Sequence, residues 1–143
     1  MTPWPATLVD KEWVEALVKR ALPSGYPVTL RHPMRDHTYR VPALADLEAL
    51  LTWPALDHLR YIADLYDCDD FAEDLRAFWR SLGLNTMGLV EDWSGKPTAH
   101  LYNLALFTYP DGTGGFRFIE PQTCRVVQIG YGLYTLTYAE VTL

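Results

Sequence analysis

The sequence predicts an α+β protein, with helices first and an antiparallel sheet after them. Three observations carry that reading. Apolar residues recur at helical spacing in the first half, most clearly over residues 67–82. Residues 87–92, 99–109, 116–120, 125–129 and 133–141 read as extended, rich in aromatic and aliphatic side chains. Glycine-rich turns, Pro110-Asp111-Gly112-Thr113-Gly114-Gly115 and Gly130-Tyr131-Gly132, stand between strands with no helical period beside them. The 143 residues suit one domain, 1–143, with a helical part over 1–60 and a helix-plus-sheet core over 61–143.

Each element has a local cause. Asp10 is placed to cap a helix over residues 11–22, with Trp13, Ala16, Leu17 and Ala21 on one stripe. Pro23-Ser24-Gly25-Tyr26-Pro27 ends it by turn chemistry. Residues 28–31 and 38–41 are short extended segments joined through His32-Pro33-Met34-Arg35-Asp36-His37. Pro42 suits the first turn of a helix to residue 51, with Leu44, Leu47 and Leu51 facing inward. Residues 55–65 are a further helical candidate. Phe71, Ala72, Leu75, Phe78, Trp79 and Leu82 form the stripe of the 67–82 helix, and Gly83 follows it. The five tryptophans read as packing anchors.

Three residues draw attention as chemistry. Cys68 falls in the first turn of the clearest helix, where unpaired N–H groups and the helix dipole favour a thiolate. The plainer reading is a small core residue. Asp67, Asp69 and Asp70 beside it oppose ionisation of a thiol unless a cation offsets them. His100 opens the 99–109 strand, and Glu120 ends the strand across the 110–115 loop, opposite roughly residues 102–105. An imidazole oriented by a carboxylate on the next strand is the base half of a nucleophilic triad. Asn103 alternates to the opposite face, where it supports the backbone.

Taken together, Asp67-Cys68-Asp69-Asp70-Phe71-Ala72, Ala99-His100-Leu101-Tyr102-Asn103 and Ile119-Glu120-Pro121-Gln122-Thr123 resemble a pattern of papain/transglutaminase-like cysteine proteases. The chain looks most like a group of small phage and bacterial proteins related to the protease-like C-terminal domain of a fungal mushroom agglutinin. The resemblance spans roughly residues 61–125. It implies a papain/transglutaminase-like core and a Cys-His-Glu triad, with Cys68 as nucleophile, His100 as base and Glu120 as orienting acid. Gln122 is implied near the oxyanion. A peptide or protein substrate, and a hydrolase or acyltransferase acting on a peptide or amide bond, follow from the same resemblance. Leu101 and Tyr102 after His100 depart from the small or aromatic residues more usual there. The competing expectation is a non-catalytic phage-type protein that binds a host or virion protein on the same scaffold. A third is a metal-dependent hydrolase using the aspartates with His100.

Cofactor and partner expectations follow. No cofactor is required, but Asp67, Asp69 and Asp70 offer oxygens to calcium, and calcium dependence is known in the agglutinin domain. His32 and His37, with Asp36 between them, could ligate a transition metal, but loop His pairs at this spacing are usually incidental, and His58 reads as surface. Cys124, by alternation on the face of Gln122, is a candidate for a reversible disulfide with Cys68 or simply a reduced strand cysteine. Eighteen acidic against 12 basic residues, a net charge of −6, argue against a nucleic-acid binder with a broad basic face. No apolar run approaches a membrane span, and the N-terminus lacks a signal-peptide pattern, so the expectation is a soluble cytoplasmic protein, in a bacterial host cell if phage-encoded.

Overall fold

The structure, a computed structural model, describes residues 2–22, 28–30, 36–53, 62–63, 65–94, 97–136 and 138–143. The elements run β1 (Thr7–Asp10), α1 (Lys11–Ala21), β2 (Val28–Leu30), β3 (Thr38–Val41), α2 (Leu44–Leu51), α3 (Cys68–Ser81), β4 (Met87–Asp92), β5 (His100–Thr108), β6 (Gly114–Glu120), β7 (Arg125–Val127) and β8 (Ala139–Thr142). The chain is α+β, as its periodicities predict. The 23–27 turn, most of the 55–65 helix, His32 and His58 lie outside the described residues.

Local signals hold where they are strongest. Asp10 caps α1, accepting from the Trp13 N–H at 2.8 Å. The buried stripe of α1 is Val14, Leu17, Val18 and Ala21. It is rotated from the expected one, so that Ala16 is exposed and Trp13 only partly covered. Along α3 the buried set is Phe71, Ala72, Leu75, Arg76 and Trp79. Trp79 is fully buried, whereas Trp53 and Trp93 are exposed, so the tryptophans are not uniformly packing anchors.

A six-stranded sheet, in the order β2-β8-β4-β5-β6-β7, is antiparallel from β8 to β7, and β2 joins β8 in parallel. The sequence predicts a simple meander ending in a strand over 133–141. Instead β8 crosses to the far side of β4. The cause is local. Residues 131 and 134 close a tight turn, and Leu136 holds a left-handed φ of 51°, which no strand continues through. β1 and β3 form a separate antiparallel pair that the sequence reading missed.

Both faces of the sheet are covered. On one face Val14, Leu17 and Val18 of α1 pack over Val90, Tyr102, Leu104, Leu106 and Phe118. On the other, Leu47, Leu50, Leu75 and Trp79 cover Met87, Ala105, Phe107 and Ile119. β5 therefore runs through the centre of two cores, which is why residues 102–108 are all buried. Gly114 is required by this layering, because a Cβ there would lie 2.7 Å from the Trp13 ring. Among the described residues no helix is long and apolar enough to cross a membrane.

Candidate functional site

Cys68 is the first residue of α3, behind the N-cap Asp67. Asp67 and Asp70 form a capping box, with the Asp67 N–H donating to Asp70 Oδ2 at 3.1 Å. Asp70 is thus turned into the helix end. Its registration against the sheet comes from Asn103, fully buried on β5. The Asn103 side-chain amide donates to the Ala72 carbonyl at 3.0 Å and to the Gly88 carbonyl at 3.3 Å. Asn103 therefore supports backbone, tying α3 to β4 and β5, and touches no reacting group.

His100 begins β5. The β5–β6 register sets Asn103 opposite Ile119, so the next pair sets Tyr102 opposite Glu120. His100 is then the diagonal neighbour of Glu120 on the same face, a spacing that long side chains bridge. His100 Nε2 lies 2.9 Å from Glu120 Oε2, with both side chains mostly buried. The imidazole also lies within electrostatic reach of the Cys68 thiol, in the wall of the same cavity. Cys68, His100 and Glu120, from a helix start and two strands, are in one chain of contacts.

The electrostatics follow from these contacts. Burial pushes His100 down, but its bonds to Cys68 and Glu120 outweigh that and hold it up at about 9. Burial pushes Glu120 up, yet hydrogen bonds from His100, from the Tyr134 hydroxyl and from the Gln122 N–H leave it below its ordinary value. The Tyr134 hydroxyl donates to Oε2 at 2.6 Å, and the Gln122 N–H to Oε1 at 3.3 Å. Gln122 is exposed at the cleft rim, and its backbone, rather than its amide, meets the carboxylate.

Sequence reasoning missed Tyr134 and a second buried carboxylate. Asp92, at the end of β4, lies opposite His100 in the sheet register. It accepts from the Tyr102 hydroxyl at 2.7 Å, the Leu136 N–H at 3.0 Å, the Ser94 N–H at 3.1 Å and the Ser94 hydroxyl. Burial raises its carboxyl, but these bonds more than compensate, and it stays ionised below the usual range. The only signal available in sequence was Asp92 at the end of an apolar strand, which the turn after it explained equally well.

The site opens into a cavity of about 720 Å³ lined by Cys68, Asp67, Asp69, Glu91, His100 and Gln122, among others. Cys68 is half-buried in its wall. Asp67, Cys68 and Asp69 place one ligand atom each within 4.8 Å of one another. A hydrogen bond to Asp67, then burial, raise the Asp69 carboxyl above its ordinary value. Among the described residues this donor set, two carboxyls and a sulfur with Asp70 turned into the cap, falls short of the six to eight oxygens calcium takes. Cys124 sits in the turn after Glu120 with φ 52°, its thiol directed at the Pro121 carbonyl 3.7 Å away. It therefore does not follow the strand alternation expected for it.

No family model and no curated protein matches the chain. Solved structures do. A structure of PSL1a, described as the PSL1a–E64 complex, superimposes with a TM-score of 0.60 at 20% identity, covering 95% of this chain and 51% of that one. A Polyporus squamosus lectin, bound to the human-type influenza-binding epitope Neu5Aca2-6Galb1-4GlcNAc, superimposes with a TM-score of 0.54 at 21% identity. There the match covers 84% of this chain and 45% of the lectin. The chain thus shares its fold with part of a fungal lectin, and spans about half the length of the solved structures it matches.

Proposed function

We propose that the protein is a cysteine hydrolase or acyltransferase of papain/transglutaminase-like type, acting on a peptide or amide carbonyl in the cleft beside Cys68. The observation that carries the reading is His100, bonded to Glu120 at 2.9 Å and set beside the Cys68 thiol in the wall of one cavity. An imidazolium beside a sulfur favours the nucleophilic thiolate. The thiolate sulfur attacks the carbonyl carbon, and the C=O electron pair moves to oxygen. Backbone N–H groups at the start of α3 are the donors closest at hand for that oxyanion. His100 gives its proton to the leaving amine as the C–N bond breaks, leaving a thioester. Water, or an acceptor amine, then attacks with His100 as base, and the sulfur leaves. Glu120 keeps the ring oriented and its charge matched throughout. No step is assigned to calcium.

A second reading, binding without turnover, draws support from the fold neighbours, which are lectins, one of them bound to a sialylated trisaccharide. On that reading the cleft takes a carbohydrate or protein partner and Cys68 is a spectator. Incubation with E64, an epoxide that alkylates thiolates, separates the two. The hydrolase reading expects a single covalent adduct on Cys68, absent in His100→Ala. An intact mass without adduct at Cys68, together with glycan binding unchanged in Cys68→Ala, would establish the binding reading instead.

A further inference from the structure

We infer that Tyr134 is a positioning residue for the site: its hydroxyl clamps Glu120 so that the carboxylate meets His100 charged and in one orientation. The inference rests on the proposed role of Glu120 but concerns a residue outside the triad. The Tyr134 hydroxyl donates to Oε2, the same oxygen that His100 meets, at 2.6 Å. The Gln122 N–H holds Oε1. Both carboxylate oxygens are therefore occupied and rotation about the terminal bond is blocked.

The ring does separate work. Tyr134 packs 5.5 Å from His100 and edge-on to Tyr102 at 5.2 Å. Tyr102 is itself tied to Asp92. His100 thus sits beside two tyrosines, each bound by its hydroxyl to a carboxylate on another element. Tyr134 reaches this position because the 131–134 turn folds back toward the sheet end, an irregular segment that neither helical nor strand spacing announces.

Toward the carboxylate the hydroxyl is a fixed donor. Burial, then the Glu120 bond and charge, push the Tyr134 phenol up beyond any working pH. A permanent donor favours the ionised carboxylate against the burial that opposes it. The groups facing Glu120 are His100 and Tyr102 from β5, Tyr134 from the turn, the Gln122 N–H from its own loop, and Arg125 across the β6–β7 pair. Cys68 of α3 and Asp92 of β4 act on it through His100 and Tyr102.

The experiment is a side-chain carboxyl ¹³C NMR titration of Glu120 in the wild type and in Tyr134→Phe, which keeps the ring. Loss of the donor should move the Glu120 titration upward by about one pH unit, since a hydrogen bond to a charge carries roughly that differential. In the wild type, the Tyr134 ζ-carbon resonance should follow the Glu120 titration, a readout that needs no variant. An unchanged Glu120 titration in Tyr134→Phe, or a Tyr134 signal flat across it, overturns the clamp. E64 labelling of Cys68 is run in parallel. A shifted Glu120 titration without any labelling would keep the clamp and sink the hydrolase, whereas labelling with an unshifted titration would do the reverse.

Discussion

Two carboxylates flank His100 on neighbouring strands, and they are built for different work. At the end of β4, Asp92 is almost wholly buried, and its partners are the Tyr102 and Ser94 hydroxyls and two backbone N–H groups. Apart from the tyrosine hydroxyl, which burial and Asp92 push upward, none of these partners titrates at all. At the end of β6, Glu120 has one partner of a different kind, an imidazole held at about 9, which changes its charge as pH rises into the alkaline range. A buried carboxylate whose partners never change charge is a bolt between segments. One that shares an oxygen with a histidine is suited to chemistry. Both regions also contain a non-glycine residue in the left-handed region, Leu136 beside Asp92 and Cys124 after Glu120.

The largest difference should appear in stability. Asp92→Ala strands the Tyr102 hydroxyl and the Leu136 N–H in a buried setting, at a cost of about 3 kcal/mol or more. Glu120→Ala, at the cleft, should cost clearly less. Urea unfolding of both variants measures this, and equal losses would erase the distinction between the two carboxylates. Next in size is Leu136→Gly. It relaxes a strained backbone by about 1 kcal/mol but empties a fully buried leucine site, so a net loss of roughly 2 kcal/mol is expected.

Chemistry should move in the opposite sense. In Glu120→Gln the His100 titration should fall from about 9 toward its ordinary 6.5, because one of the two groups that raise it loses its charge. Thiol alkylation at Cys68 near neutral pH should slow by roughly tenfold, because most of the imidazole beside the sulfur is then uncharged. Asp92→Asn should leave the His100 titration nearly in place. Stability tracks the same groups. The His100 contribution is whole below 6.5 and is lost as pH rises through about 9. The Glu120 contribution is present above its unfolded value near 4.5 and is lost as pH falls through its lower folded value. A wild-type stability profile flat between pH 6.5 and 9.5 would contradict the charged histidine.

The same contrast explains what was readable in the sequence. Cys68, His100 and Glu120 could be found because each occupies a regular element: a capped helix start and strands of fixed period. β4 was read at its true bounds, and β5 and β6 to within two residues, since alternation and a glycine turn define them locally. Tyr134, Asp92 and the crossing of β8 were hidden because they depend on irregular backbone at 131–136, where no periodicity operates. The buried stripe of α1 was misread by a residue because packing against Phe118 and Leu104, not the helix alone, selects its face.

The smallest effect is expected at Cys124, and it tests whether strain near Glu120 matters. Cys124 adopts φ 52° in the four-residue turn that leads from Glu120 to Arg125, and glycine takes that conformation without a Cβ penalty. Cys124→Gly should therefore gain about 1 kcal/mol from backbone relief. It should lose a similar amount by removing a partly buried sulfur that packs against Leu75, Trp79 and Ile119's cluster. The net change in unfolding free energy should be close to zero, against the clear loss expected for Leu136→Gly. Because the turn also carries the Gln122 N–H to Glu120, the variant reports on more than stability. A looser turn would lower the His100 titration without lowering the melting midpoint. A loss of more than about 2 kcal/mol would mean that the Cys124 side chain, not the turn backbone, holds this corner of the site together.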